Sequence, residues 1–270
     1  MQFNSFTKVL VLFLFTLTFS AQTKLLSWNI ENLGKSKSEN EIAFIAYTVK
    51  DFDIIAIQEV VAGYGGAQAV AKLANELNRK GAKWDYIISE PTSSSAYKTE
   101  RYAFLWKTHK IKKIGKAWLE KKYHLEIDRE PYFCTFEYNN KQFTVVNFHA
   151  VTKSKQPETE IKYFKFLPDE YPTLNLIFTG DWNCPQSHTV FNPLRKMGYT
   201  PVLSNQKTSL KRECQLEDCL ASEYDNLFYN SNKVVVKNSG VLLFYKKFNS
   251  LQDARSISDH IPIWAEMEMN

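Results

Sequence analysis

No Cys-x-x-Cys pair occurs among the four cysteines and the five histidines are scattered, which argues against a zinc site. No Gly/Ser-rich or Pro-rich stretch divides the chain, and nothing repeats with a period of about 20–50 residues, so tethered domains, solenoids and propellers are set aside. Long apolar runs are nearly missing. The one present, residues 9–19, holds only apolar residues and threonines and is about half the length a bilayer requires. It follows a short head whose cation is Lys8 and precedes the small residues Ser20 and Ala21, so it reads as a secretory signal rather than a membrane anchor. The expected division is a signal peptide over 1–21 and a single domain over 22–270, secreted or periplasmic. A large excess of one charge is missing too. Lys and Arg number 34 against 29 Asp and Glu, and the net +5 would tolerate a polyanionic partner without identifying one.

What the chain does have is a hydrophobic fraction of 44%, ample for one large layered domain. Residues 25–30 read as a strand. Ser38-x-x-Glu41 is a capping box, followed by Ile42, Ile45, Ala46 and Val49 at helical spacing. The apolar run 53–57 breaks at Gln58-Glu59, which places Glu59 at a strand's C-terminal lip. Strands are expected over 84–89, 103–107, 111–118, 132–138 and 142–148, with Asn139-Asn140 as a tight hairpin turn. Further strands are expected at 174–179, 224–229, 233–237 and 260–267, with helices at 158–167 and 190–197 and an irregular segment over 203–222. Helix–strand alternation early and hairpins in the middle suit a four-layer α/β/β/α sandwich, two mixed β-sheets flanked by helices. Among the cysteines, Cys134 sits in an apolar strand and reads as a buried thiol. Cys214 and Cys219 flank a polar loop and can close a small ring, with Cys184 the competing partner for either.

The chemically suggestive residues cluster where apolar runs end. Asn29 and Glu59, each after an apolar strand, and Asp259, just before a third, are hard oxygen donors, a set suited to Mg²⁺, which needs one or two carboxylates and keeps several waters. His149 and His260 lie at strand edges, and phosphodiester hydrolysis needs a base for water and an acid for the leaving oxygen. Glu100 and Asp225 are available to orient the imidazoles. In Gly180-Asp181-Trp182-Asn183, Asp181 and Asn183 point to one face of an extended segment, and Arg129 offers a bidentate partner for phosphate.

Trp28-Asn29-Ile30, Ile57-Gln58-Glu59-Val60, Asn147-Phe148-His149, Gly180-Asp181-Trp182-Asn183 and Ser258-Asp259-His260-Ile261-Pro262 resemble, in order, the motifs of the endonuclease/exonuclease/phosphatase superfamily. Tyr97-Lys98-Thr99-Glu100-Arg101-Tyr102, Arg129-Glu130-Pro131 and Tyr224-Asp225 are similar to its deoxyribonuclease I branch, and together they span nearly all of 22–270. The resemblance implies metal-dependent attack of water on phosphorus in DNA, with Mg²⁺ or Mn²⁺ on Glu59, Asn29 and Asp259 and Ca²⁺ allowed as a structural ion. It implies His260, oriented by Asp225, as general base and His149, oriented by Glu100, as general acid. Asp181 and Asn183 would position the scissile phosphate, with Arg129 and Tyr97 as further phosphate contacts. The chain departs from that branch in carrying Val61 where an arginine is expected, an extra residue at Thr99, and Thr208 or Ser209 as candidates for the threonine before the Asp225 strand. The alternative within the superfamily is a phosphatase or phosphodiesterase acting on inositol phosphates or sphingomyelin.

Overall fold

The computed structural model of the protein describes residues 22–94, 99–214 and 217–270; the expected signal peptide and Tyr97 lie outside them. Among the described residues the strands are β1 (Thr23–Leu33), β2 (Ile54–Val61), β3 (Trp84–Ile88), β4 (Glu100–Lys107), β5 (Lys112–Leu119), β6 (Tyr132–Tyr138), β7 (Lys141–His149), β8 (Leu176–Asp181), β9 (Tyr199–Pro201), β10 (Asp225–Asn230), β11 (Val234–Val241) and β12 (Ile263–Met269). They form two six-stranded sheets, ordered β11-β12-β1-β2-β4-β3 and β5-β6-β7-β8-β10-β9. The helices are α1 (Glu39–Val49), α2 (Tyr64–Asn78), α3 (Glu158–Ile161), α4 (Leu167–Glu170), α5 (Asn192–Lys196) and α6 (Leu251–Ile257).

Side-chain alternation builds the layers. Along β2, Ile54 and Ala56 face Phe136, Val145 and Ile177 of the other sheet, while Ile55 and Ile57 face Val70 and Leu73 of α2. A third apolar cluster lies outside the second sheet, where Ile161, Leu167 and Leu194 cover Phe148 and Phe178. The result is the expected α/β/β/α sandwich. Residues 38–41 make the capping box, with the Ser38 N–H donating to Glu41 at 2.7 Å. Asn139 and Asn140 both have positive φ, as a two-residue hairpin of this twist requires.

Other expectations shift. The helix expected over 158–167 is broken into α3, a 3₁₀ stretch and α4. Helix α6 lies in a stretch that local periodicity did not mark; its N-cap is Ser250, whose side chain accepts from the Asp253 N–H. Within the irregular 203–222 segment, Ser209 bridges to His260 and Leu210 to Leu220, so this loop is tied to the end of the chain. No helix among the described residues is long and apolar enough to cross a membrane.

Each sheet contains one parallel pair, β1 with β2 and β7 with β8, and both pairs end on the same side of the sandwich. Open parallel pairs bind ligands beyond their C-terminal ends. Antiparallel neighbours start there: Glu100 of β4 pairs with Val61, Asp225 of β10 pairs with Asp181, and β12 begins just after Asp259-His260. The chain's scattered clusters are thereby brought to one edge.

Gly180, at the end of β8, has φ +139°, and a Cβ there would lie 1.8 Å from the Phe148 carbonyl oxygen. Only glycine allows β8 to approach β7 this closely. Gly180→Ala is therefore expected to cost about 3 kcal/mol or more. The check is the urea midpoint followed by circular dichroism, which should fall with little change in slope.

Candidate active site

Four side chains come from the C-terminal ends of the parallel pairs: Asn29 from β1, Glu59 from β2, His149 from β7 and Asp181 from β8. Both sheet-1 strands lose register there, and Glu59 takes φ +59°, a conformation rare for a side chain of its type, which aims its carboxylate into the cleft. The Asn29 amide nitrogen donates to Glu59 Oε1 at 2.9 Å and to Asp181 Oδ2 at 3.1 Å, joining the two sheets.

The imidazoles are held alike. His149 Nδ1 lies 2.9 Å from Glu100 Oε2, and His260 Nδ1 lies 2.7 Å from Asp225 Oδ2. Each Nε2 then faces the same buried carboxylate, Asp181 Oδ2, at 3.4 Å from His149 and 3.6 Å from His260. With Nδ1 bound to carboxylate, the Nε2 atoms are the ones left to exchange protons in the cleft.

Their fields differ. Burial and the Arg129 charge push His149 down, but Glu100 and Asp181 outweigh them and its pKa ends raised. Burial opposes the charged form of His260 as well, yet Asp225 and Asp181 hold it well above the ordinary imidazole value. Burial pushes Asp225 up to about 6, with Asp181 adding to the rise and His260 opposing it. Asp181 is buried but ends lowered, because both imidazoles, the Asn183 N–H and the Asn29 amide favour its anion.

Supporting residues fix these positions. Thr208 Oγ1 donates to Asp225 Oδ2 at 2.7 Å, which selects Thr208 over Ser209. Trp182 is enclosed by Phe148, Phe164, Phe191 and Phe228 and donates to Asn226 O, so the residue between Asp181 and Asn183 is an apolar anchor. Asn183 turns at φ +48°; its N–H donates to Asp181 Oδ1 at 2.9 Å and its amide to Ala150 O at 3.1 Å. Arg129 is 8% exposed and its guanidinium donates to His149 O, Ala150 O and Glu100 Oε2. Its donors brace the acid–histidine pair, and the side chain lines the cleft. The Cys214–Cys219 ring forms, while Cys134 and Cys184 are free and buried.

Several contributors escaped sequence reasoning. Glu31 lines the cleft with Glu59 and Asp259; its carboxyl is raised by burial, then by those two carboxylates. Trp28 Nε1 donates to His260 O at 2.8 Å, Ser258 Oγ donates to Asn29 O at 2.6 Å, and the His149 N–H donates to Tyr102 Oη at 3.2 Å. Such links join residues far apart in the chain and have no local signature. Trp28, Ser258 and Tyr102 do lie inside the motif runs.

The donor set suits a divalent cation. Asn29 Oδ1 is buried without a hydrogen-bond partner, and the Asp259 and Glu59 carboxylates add to burial in raising the Glu31 carboxyl of the same cleft. Asp181, Asp225 and His260 also bring ligand atoms within 4.8 Å of one another, but there the short His260–Asp225 hydrogen bond already engages two of the three.

The sequence profile of the Endonuclease/Exonuclease/phosphatase family matches residues 26–260. The chain belongs to that family. A deoxyribonuclease from Thioalkalivibrio sp. (strain K90mix) is 27% identical over 93% of this chain and 72% of its own length. Deoxyribonuclease gamma of Rattus norvegicus is 27% identical over 94% of this chain and 87% of its own. Among solved structures, an endonuclease/exonuclease/phosphatase family protein from Bacteroides thetaiotaomicron superposes with a TM-score of 0.67 at 19% identity, covering 92% of this chain and 98% of that one. As in that neighbour, the family fold supplies the two-sheet frame on which this cleft is built.

If the carboxylate set binds a cation, Mg²⁺ or Mn²⁺ at about one hundred times Kd should stabilise the metal-free protein by ~2.7 kcal/mol, read as a rise in Tm. Glu59→Gln should leave the metal-free Tm nearly unchanged and abolish the rise. A full rise in that variant would remove Glu59 from the binding set.

Proposed function

We propose that the protein is a divalent-metal-dependent endonuclease that hydrolyses DNA phosphodiesters with little sequence preference, exported to the periplasm or the medium. One observation carries the chemistry: two imidazoles, each backed by a carboxylate, present Nε2 to the same point beside Asp181. The likeness to deoxyribonucleases over nearly the whole chain supports DNA as substrate. The run 9–19 supports export.

In this reading the scissile phosphate sits between the imidazoles, where the Asn183 and Asn29 amides are at hand to orient its oxygens. His260 Nε2 takes the proton of the attacking water, and Asp225, held by Thr208, steadies the imidazolium that forms. His149 Nε2 delivers a proton to the departing oxygen on the opposite side, its ring fixed by Glu100 and that carboxylate by Arg129. Glu59, Asn29 and Asp259 would hold Mg²⁺ or Mn²⁺, which when bound offsets negative charge on the phosphoryl group. Because the cleft contacts address phosphate and not base edges, sequence preference should be weak and binding salt-sensitive.

Supercoiled plasmid incubated with the mature protein and Mg²⁺ should be nicked. His149→Ala and His260→Ala should each lower the rate by roughly 10²–10⁴-fold, the usual share of a general acid or base. Intact plasmid across Mg²⁺, Mn²⁺ and Ca²⁺, with phosphate or phosphocholine released from inositol phosphates or sphingomyelin, would transfer the assignment to those substrates.

A further inference from the structure

Beside the cleft stands a surface that the catalytic chemistry does not use. Tyr123, on the turn between β5 and β6, meets Tyr163 and Phe166 from the 3₁₀ stretch after α3, with ring centroids 5.4 Å, 5.9 Å and 6.2 Å apart. Phe166 is 40% exposed, and Tyr123 and Tyr163 are only partly covered. Lys162 lies 5.2 Å from the Tyr163 ring centre and Lys165 lies 4.7 Å from that of Phe166. Lys122 is also over an aromatic ring, but its ammonium is engaged by Glu170.

The surface is rigidly joined to the cleft. Glu160 of α3 is 4% exposed and accepts the Asp128 N–H at 2.7 Å and the Val151 N–H at 2.9 Å. Asp128 precedes Arg129, Val151 closely follows His149, and Lys153 and Lys155 line the cleft wall between them and α3. Glu120 accepts the N–H groups of Lys122 and Tyr123 at 2.9 Å and 3.0 Å, fixing the other half. Two buried carboxylates thus hold a ledge of aromatic faces and lysines at a set distance from the imidazoles.

We propose that this ledge is a docking site for a single-stranded polynucleotide whose neighbouring phosphodiester occupies the cleft; the idea rests on the nuclease reading above. Unpaired bases expose faces that stack on Tyr123, Tyr163 and Phe166, and the phosphates between them meet Lys162 and Lys165. A duplex keeps those faces covered, so the ledge extends the substrate range toward unpaired strands. The lysines at the ledge, with Lys153 and Lys155 on the adjoining cleft wall, give the charge complementarity that favours this occupant.

Three measurements on the full mature chain test it. Tyr163→Ala/Phe166→Ala should raise KM on denatured long DNA about tenfold with kcat kept, and leave turnover of bis(p-nitrophenyl) phosphate unchanged. Lys162→Ala/Lys165→Ala should flatten the log–log salt dependence of KM by ~1.4, the share of two phosphate contacts on a single strand. Anisotropy of a fluorescent oligothymidylate should show the same weakening without any cleavage, in variants whose Tm matches the parent. Unchanged oligothymidylate affinity overturns the ledge, as does a variant that loses binding to phosphatidylglycerol vesicles and not to the oligonucleotide. If the parent cuts no DNA, the nuclease reading fails, and the anisotropy comparison still decides the ledge.

Discussion

The architecture of the cleft depends on a single buried anion. Asp181 is 1% exposed at the seam between two sheets, where an uncompensated carboxylate would be prohibitively costly. Its compensation is drawn from elements remote in sequence: Asn29 from the first sheet, His149 from β7, His260 from the end of the chain and the Asn183 N–H from its own turn. Folding the sandwich and assembling the site are consequently one process. Gly180 makes the anion's position reachable, and Trp182 locks it from the apolar side.

Away from Asp181 the same device recurs without chemistry. Gln58 Nε2 donates to Ser27 Oγ at 3.0 Å and to Asn147 Oδ1 at 2.5 Å, and Asn147 returns a bond to Ile57 O, a polar seam that fixes the stagger of the sheets. Glu120, Glu130 and Glu160 are buried carboxylates that accept loop N–H groups. The walls of the cleft are irregular in secondary structure and yet tied down, so loop residues are held by a rigid scaffold.

Much of this was legible in the residues. An apolar run that stops abruptly at Gln58-Glu59 or Gly180-Asp181 marks a strand's end, and the order of such stops carries the family's motifs. Capping at Ser38 and the Asn139-Asn140 turn are local events with local signatures. What stayed hidden was pairing at a distance. Nothing near Asn29 shows that its amide spans two sheets, and nothing near Arg129 shows that its donors turn inward to His149, Ala150 and Glu100. Thr208 and Ser209 differ by one position and one methyl group, and only the register that the Ser209–His260 bridge imposes decides which hydroxyl meets Asp225.

The two imidazoles also explain why one acid and one base can be made from the same pair of residue types. Burial raises the cost of a negative Glu100, but His149 and then Arg129 bring its pKa down, so the anion beside His149 is shared with a fixed cation. Asp225 has the neutral Thr208 hydroxyl as its other partner and faces Asp181, so both carboxylates add to the negative field at His260. In the proposed mechanism His149 gives up a proton, and Glu100 and Asp181 favour its protonated form against burial and the Arg129 charge. His260 accepts one, in a field from Asp225 and Asp181 that favours its charged form. The carboxylate cleft would then serve twice. A divalent cation held by Glu59, Asn29 and Asp259 would offset that field as well as charge on the phosphate.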